Sequence, residues 1–212
     1  MTFPLTKAWD PADLSTDLIP ESVMVATAFG TASPQHEMRR WEYAMALRAI
    51  IRWEVVSQHP IRPLTCYDVG GAGSPFWRMV PYQVQIIDPA AEDGQTLAAF
   101  VATHPPKHRI VTCLSVLEHI LILEPFCADL ASLVLPGGLL LLTFDYQPDD
   151  TLDQKMFHWM RQRIFTPTSW QKLAGDFSAL GFDLFDSVDW TFHAGWENWG
   201  YCPASLALRK RA

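Results

Sequence analysis

Hydrophobic and polar positions along this chain alternate between a helical period and short, solidly apolar runs. From Ser33-Pro34 onward, Trp41, Ala44, Met45, Ile51 and Val55 recur at near-helical spacing among polar residues. The spacing predicts a helix over 34–57, with Ser33 as N-cap and proline at the first helical position. His59-Pro60 and Arg62-Pro63 end it and lead into an apolar run that predicts a strand over 64–69. A second strand is expected over 83–88, after Phe76–Val80, which leaves room only for a short helix before Pro81. Thr96–His104 reads as a helix halted by Pro105-Pro106. Ile110–Leu114 is continuously apolar, as suits a strand covered on both faces. A helix over Ala128–Leu135 then meets Pro136-Gly137-Gly138, which punctuates before the buried run Leu139–Phe144. Thr168 is expected to cap a helix ending at Gly181, with two short strands following at 182–188 and 204–209. Residues 1–32 show no clear period and read as an irregular arm. Strands alternating with helices imply a mostly parallel α/β sheet with helices on both faces.

Composition narrows the class. A chain of 212 residues, 49% apolar and 18% charged, suits one domain with a substantial core rather than a disordered chain. Its net charge of −7, with no dense Lys/Arg stripe, argues against a nucleic-acid partner. Cys66, Cys113, Cys127 and Cys202 show no C-x-x-C pairing and read as buried thiols. The N-terminal region carries Asp10, Asp13 and Asp17 rather than a basic then apolar run, so no secretory signal is expected. No apolar stretch approaches membrane-spanning length, and a cytoplasmic protein is the expectation.

The candidate chemistry begins at Asp68-Val69-Gly70-Gly71-Ala72-Gly73-Ser74, a glycine-rich turn at the end of the first predicted strand. Backbone without side chains lets a ligand approach closely there. Asp88 closes the second strand 20 positions later (88 − 68), where a carboxylate can accept both hydroxyls of a ribose. The turn therefore points to an adenosine-containing cofactor. A dinucleotide would need G-x-G-x-x-G; counted from Gly71, its third glycine position is Phe76, and Pro75 removes a helix N–H. A cofactor without a pyrophosphate is the better match.

With these residues in place, the chain resembles the class I S-adenosyl-L-methionine (SAM)-dependent methyltransferases of the small-molecule type. The resemblance rests on Asp68–Ser74, on Asp88, on Cys113-Leu114-Ser115-Val116-Leu117-Glu118-His119, and on Leu135-Pro136-Gly137-Gly138 before the leucine run. It covers about 64–145, with weaker likeness at Arg163-Ile164-Phe165 and Gly181-Phe182. The family's G-x-G-x-G is altered here, with Ala72 and Ser74 at the second and third glycine positions, and a left-handed conformation at Ala72 would carry strain. The third strand of the family, with its adenine-contacting residue, is hard to find between Asp88 and Ile110.

The resemblance implies a Rossmann-like, seven-stranded, mostly parallel sheet with an antiparallel last strand. It also implies an N-terminal arm and cofactor-covering helix over 1–63, and a SAM-binding core over 64–212. The implied cofactor contacts are Asp68, Gly70, Gly71, Ala72, Gly73, Asp88, Ser115 and Val116, with Arg40 and Trp41 from the covering helix. Arg39 and Tyr43 share that helix and could serve the same edge, or the helix could simply pack on the sheet. His119, after the fourth strand and with a near-neutral intrinsic pKa, is the candidate base; a structural role for Glu118 and His119 is the competing reading. The aromatic stretch 189–201 could overhang an acceptor, pack as a loop, or make a dimer contact. Asp145, Asp149, Asp150 and Asp153 could attract Mg²⁺, though scattered acids usually form a solvated loop, and no metal is expected. The expected activity is methylation of a hydroxyl on a small-molecule or glycan-type acceptor. An N-methyltransferase, an NAD(P)-dependent reductase and a non-catalytic SAM-binding module are the alternatives, and a homodimer is left open.

Overall fold

A computed structural model of the chain describes residues 4–14, 34–57, 65–72, 74, 83–92, 94–106, 108–150, 162–192 and 201–212. Ser33, Gly73, the 76–80 segment, Asp153 and 193–200 lie outside the described residues. The strands are β1 (Thr6–Ala8), β2 (Thr65–Val69), β3 (Gln83–Ile87), β4 (His108–Leu114), β5 (Val134–Tyr146), β6 (Phe182–Leu184), β7 (Val188–Asp189) and β8 (Cys202–Lys210). The helices are α1 (Pro34–Ser57), α2 (Leu97–Thr103), α3 (Leu123–Leu133) and α4 (Pro167–Ala179).

These strands form one sheet in the order β3-β2-β4-β5-β8-β1-β7, with β6 pairing β8 off that path. Strands β3, β2, β4 and β5 are parallel, and β8 runs antiparallel to β5. The α/β class and the reversed last strand are as expected; the membership differs at both edges. Asp88 to Gly94 makes two tight turns, Ala91 N–H to Asp88 C=O and Gly94 N–H to Ala91 C=O, and the chain then enters α2 directly. No strand intervenes between β3 and β4 among the described residues, which explains the missing third-strand signal. At the other edge β1, from the stretch read as an irregular arm, pairs with β8 and β7.

Three local devices differ from the predicted ones. β5 starts at Val134 and runs through Pro136-Gly137-Gly138, with the irregularity absorbed between His108 and Ile110 of β4. α4 is capped by Thr166, not Thr168: the Thr166 side chain accepts from Ser169 N–H, Ser169 returns the bond, and Pro167 opens the helix. Thr168 N–H is instead taken by Asp150 Oδ1. α3 begins at Leu123, a turn earlier than the apolar pattern indicates, because its first turn is exposed.

The core is one cluster that runs from the sheet into α1, where Trp41 to Leu47 are buried consecutively. Such a helix cannot be amphipathic in the ordinary sense; it is covered on nearly all sides. One of its covers is the arm. Asp13 accepts from Lys7 Nζ at 2.8 Å and from Trp41 Nε1 at 2.9 Å, with both charged side chains buried. Burial raises the Asp13 carboxyl above its usual value, while Lys7 and Trp41 hold it down. Removing the cation from a buried pair strands the carboxylate, so Lys7→Ala should cost about 3–5 kcal/mol. Thermal unfolding measures this, and an unchanged melting temperature would show that the arm does not brace α1.

Candidate functional site

The carboxyl ends of β2, β3 and β4 converge on a cavity of about 550 Å³. Its walls include Gly70, Ile87, Asp88, Leu97, Val116 and Phe126, and its rim carries Ser115 and His119. The lining is chiefly apolar with a few polar groups, as expected of a small-molecule site.

The glycine turn is shaped by its neighbours. Gly70 adopts φ +79°, the left-handed region, and a Cβ there would overlap the Val116 side chain. The left-handed residue is thus Gly70, and Ala72 is spared the strain its position suggested. A Cβ at Gly71 would overlap the Asp68 carboxylate. Parallel register puts Thr112 opposite Asp68, and its hydroxyl donates to Asp68 Oδ1 at 2.7 Å. Asp68 is buried beneath the turn and supports it from below. Asp88 ties the turn to β3: its Oδ2 accepts from Ala72 N–H at 3.0 Å and its Oδ1 from Ala90 N–H at 2.8 Å. Each carboxylate oxygen keeps a second acceptor direction, which two ribose hydroxyls can use.

Beyond β4 the chain makes a strained exit. Ser115 has φ +52°, the one non-glycine residue with positive φ among the described residues. Its N–H donates to Thr143 C=O and Oγ1, both at 3.0 Å, and its hydroxyl donates to Glu42 Oε1. Thr143 Oγ1 donates to the same Glu42 oxygen at 2.7 Å, and Arg39 donates to Oε2 at 2.9 Å. Glu42 is therefore a buried clamp between α1 and the ends of β4 and β5. A 3-10 turn over Leu117–His119 then buries Glu118 and exposes His119 at the cavity. Burial, with help from Arg39, lowers the His119 pKa from its ordinary 6.5, which favours the neutral imidazole near pH 7.

A second polar cluster stands on the β5 side of Ser115. Glu118 is 2% exposed and Asp145 7%, and both lie within electrostatic reach of Glu42 and Arg39. Desolvation raises the Glu118 carboxyl well above its usual range, with Asp145 and Glu42 adding to it. Desolvation, with Glu42 adding to it, pushes Asp145 up to about 7, against Arg39. Gln162 donates to Asp145 Oδ2, and Arg163 N–H to the Glu118 carbonyl, so the 162–165 segment closes one side.

Gly70, Asp88, Ser115, Val116 and His119 thus come together, with Asp68, Gly71 and Ala72 in support. On α1 the expected contacts and the cavity lining differ. Trp41 is fully buried with its indole bound to Asp13, and neither it nor Arg40 lines the cavity. No described α1 residue lines the cavity; Glu42 and Tyr43 reach its neighbours by hydrogen bonds, Glu42 to Ser115 and Tyr43 Oη accepting from Ser74 Oγ at 3.2 Å, beside the glycine turn. Glu42 is a site-adjacent group that no motif marked, and Asp145 is marked in the sequence only as a Mg²⁺ candidate. Trp190 and Phe192 of the aromatic stretch pack on Trp170 and Tyr146, as loop packing would have it. Among the described residues no three His, Cys, Asp or Glu side chains cluster as metal ligands. None of the described helices is long and apolar enough to cross a membrane.

No family model matches the chain, and no curated protein matches it in sequence. Solved structures do. The 4+2 cyclase SpnF superposes with a TM-score of 0.58 at 14% identity, over 80% of this chain and 82% of its own. An O-methyltransferase family protein from Burkholderia thailandensis gives 0.52 at 18% identity, over 84% of this chain and 60% of its own. The magnesium protoporphyrin IX methyltransferase of Synechocystis PCC 6803, with bound SAH, gives 0.51 at 15% identity, over 95% and 97%. At such identities the likeness is one of fold. The chain has the Rossmann-like fold of the class I SAM-dependent methyltransferases.

Two outcomes test this geometry. Gly70→Ala should lower stability by about 1–3 kcal/mol through overpacking and left-handed strain. Adding Val116→Ala should recover the steric share; denaturant unfolding of the single and double variants measures it. Asp145 binds its proton more tightly folded than unfolded, so its share of stability is full below about pH 4. That share fades as pH rises toward about 7. Asp145→Asn should flatten this decline, and equal pH slopes of melting temperature in both proteins would refute the assignment.

Proposed function

We propose that the chain is a SAM-dependent methyltransferase acting on a small molecule. The observation that carries this reading is the single apolar cavity joining Gly70, Asp88 and the Ser115–Val116 turn. SAM fits it chemically. Asp88 has acceptor capacity for the ribose, Gly70 leaves the main chain approachable, and no pyrophosphate-binding row of N–H groups is required. When bound, SAM supplies a methyl group on a positively charged sulfur. Asp88 would hold the ribose hydroxyls, and the backbone of Gly70, Ser115 and Val116 would flank the methionyl portion. Val116 and Phe126 exclude water from that wall, and positioning of this kind is a large part of what a methyl transfer needs.

The preferred acceptor is a hydroxyl of a small molecule, with His119 taking its proton. The low His119 pKa leaves the imidazole neutral and able to do so near pH 7. An amine acceptor is the second reading, favoured by the buried carboxylates at the end of β5. The first of the structures above is a cyclase, so the fold alone does not fix the reaction.

Calorimetry with SAM and S-adenosylhomocysteine tests the cofactor. Both should bind, and Asp88→Ala should weaken each at least tenfold, about 1.4 kcal/mol. Absence of binding by the native chain would overturn the reading. Once an acceptor is found by methyl-transfer screening, His119→Ala should lower kcat by about 10²–10⁴. A near-normal kcat would return His119 to a structural role.

A further inference from the structure

The wall that Ser115 and Val116 give to the cavity is not held by their own turn alone. Inside the turn, His119 N–H donates to Val116 C=O at 2.9 Å and Ile120 N–H to Leu117 C=O at 3.2 Å. Those bonds begin after Ser115 and do not select its φ. The Ser115 N–H, bonded to Thr143, fixes the peptide plane that enters the residue and leaves rotation about N–Cα open. The hydroxyl hangs from Cβ, beyond that rotation, and its bond to Glu42 Oε1 closes it. The backbone thus stays at φ +52°, where a side chain is disfavoured. This matters because Val116 has little latitude: its side chain occupies the space that a Cβ on Gly70 would take. A turn relaxed at Ser115 would carry Val116 out of register with the glycine turn.

Glu42 lines no part of the cavity and is 2% exposed, so it meets no ligand itself. It is nevertheless the anchor of that bond, and it is held independently of Ser115. Thr143 Oγ1 donates to Oε1 at 2.7 Å from β5, and Arg39, one turn earlier on α1, donates to Oε2 at 2.9 Å. The other brace on α1, Asp13 with Lys7 and Trp41, joins the helix to the N-terminal arm. The two braces can therefore be broken separately.

We infer that Glu42 is a positioning residue: through the Ser115 hydroxyl it holds the Ser115–Val116 turn in the shape that receives the cofactor. α1 thereby belongs to the binding machinery without touching the ligand. The identity of that ligand rests on the methyltransferase reading; the hold on the turn does not. Where a turn keeps its binding shape only a fraction of the time, affinity falls by that fraction. Loss of Glu42 should therefore weaken cofactor binding in a protein that is still folded.

S-adenosylhomocysteine is titrated calorimetrically into the full-length chain, at a temperature where circular dichroism shows the variants folded. Glu42→Leu should weaken binding about tenfold or more, and Ser115→Ala, which deletes only the hydroxyl, should do the same. Glu42→Gln keeps an acceptor oxygen and should restore affinity to within about threefold of native. Joining Glu42→Leu to Ser115→Ala should add little to either alone, because both cut one bond. Lys7→Ala loosens the other brace and should leave affinity within about twofold of native. Native affinity in Ser115→Ala, full additivity of the pair, or an equal loss in Lys7→Ala would overturn the positioning role. Should Glu42→Leu fail to fold, Ser115→Ala against Lys7→Ala decides it. Amide hydrogen exchange of the ligand-free chain is the second readout. His119 and Ile120 amides should exchange faster in Ser115→Ala than in Lys7→Ala once each is scaled to its global stability; equal exchange would overturn the hold on the turn. Failure of the native chain to bind S-adenosylhomocysteine would instead overturn the methyltransferase reading, and the exchange comparison would still decide whether Glu42 holds the turn.

Discussion

Glu42 is a carboxylate placed where solvent cannot reach it, and the site is arranged around keeping it satisfied. Ser115 and Thr143 supply hydroxyls from the ends of β4 and β5, and Arg39 supplies charge from one turn earlier on α1. A buried ion held by three donors fixes position sharply, because losing any one leaves the others with an unbalanced charge. This clamp sets the height of α1 over the sheet. It thereby brings Tyr43 over the glycine turn, Arg39 beside Glu118, and Ser115 into a conformation that serine seldom adopts. The Lys7–Asp13–Trp41 contact braces the same helix from behind. Both anchors lie within α1's first ten residues, 34 to 43, so the functional end of the helix is the fixed one.

Much of this was legible from residue order because it is local. Proline at 34 and the spacing from Trp41 onward bound α1, and the Asp68–Asp88 separation is that of two adjacent parallel strands with an acid at each carboxyl end. The parts that were not legible are those decided by partners distant in sequence. Thr6-Lys7-Ala8 is too short and too mixed to announce a strand, and it becomes one only because β8 offers Ala204 and Ser205 as partners. Trp41 and Arg40 were placed at the cofactor because a helix buried from 41 to 47 gives no unique apolar stripe, so its phase cannot be taken from periodicity. The α1 residues bonded toward the sheet ends, Glu42 and Tyr43, are set by partners 31 to 101 positions away. Glu42 in the sequence is one more charged helix residue.

The glycine turn shows how a departure from the expected motif can be harmless. Its left-handed demand falls on Gly70, where Val116 leaves no room for a side chain, and Gly71 yields to the Asp68 carboxylate beneath. Ala72 needs neither freedom. It needs only an N–H, which Asp88 accepts. A G-x-G-x-G count would mark the loop as degraded, whereas the positions that require glycine still have it.

Ser115 is the point on which the two halves of the site depend. Left-handed backbone costs an ordinary residue about 1 kcal/mol or more, and a glycine here would remove that cost. A glycine would also remove the hydroxyl that Glu42 accepts. The sequence keeps the strain and the hydroxyl together, which makes sense if the backbone must turn toward the cavity while the side chain holds the acid cluster in place. Three hydrogen bonds hold that conformation, two through the Ser115 N–H to Thr143 and one through its hydroxyl to Glu42, so the edge of the cavity is tied to the α1 clamp. Under the proposed reading, a tie of this kind is what a transfer reaction needs beside its donor pocket. The apolar cavity on one side and the buried Glu42 clamp on the other are then divided by a single residue.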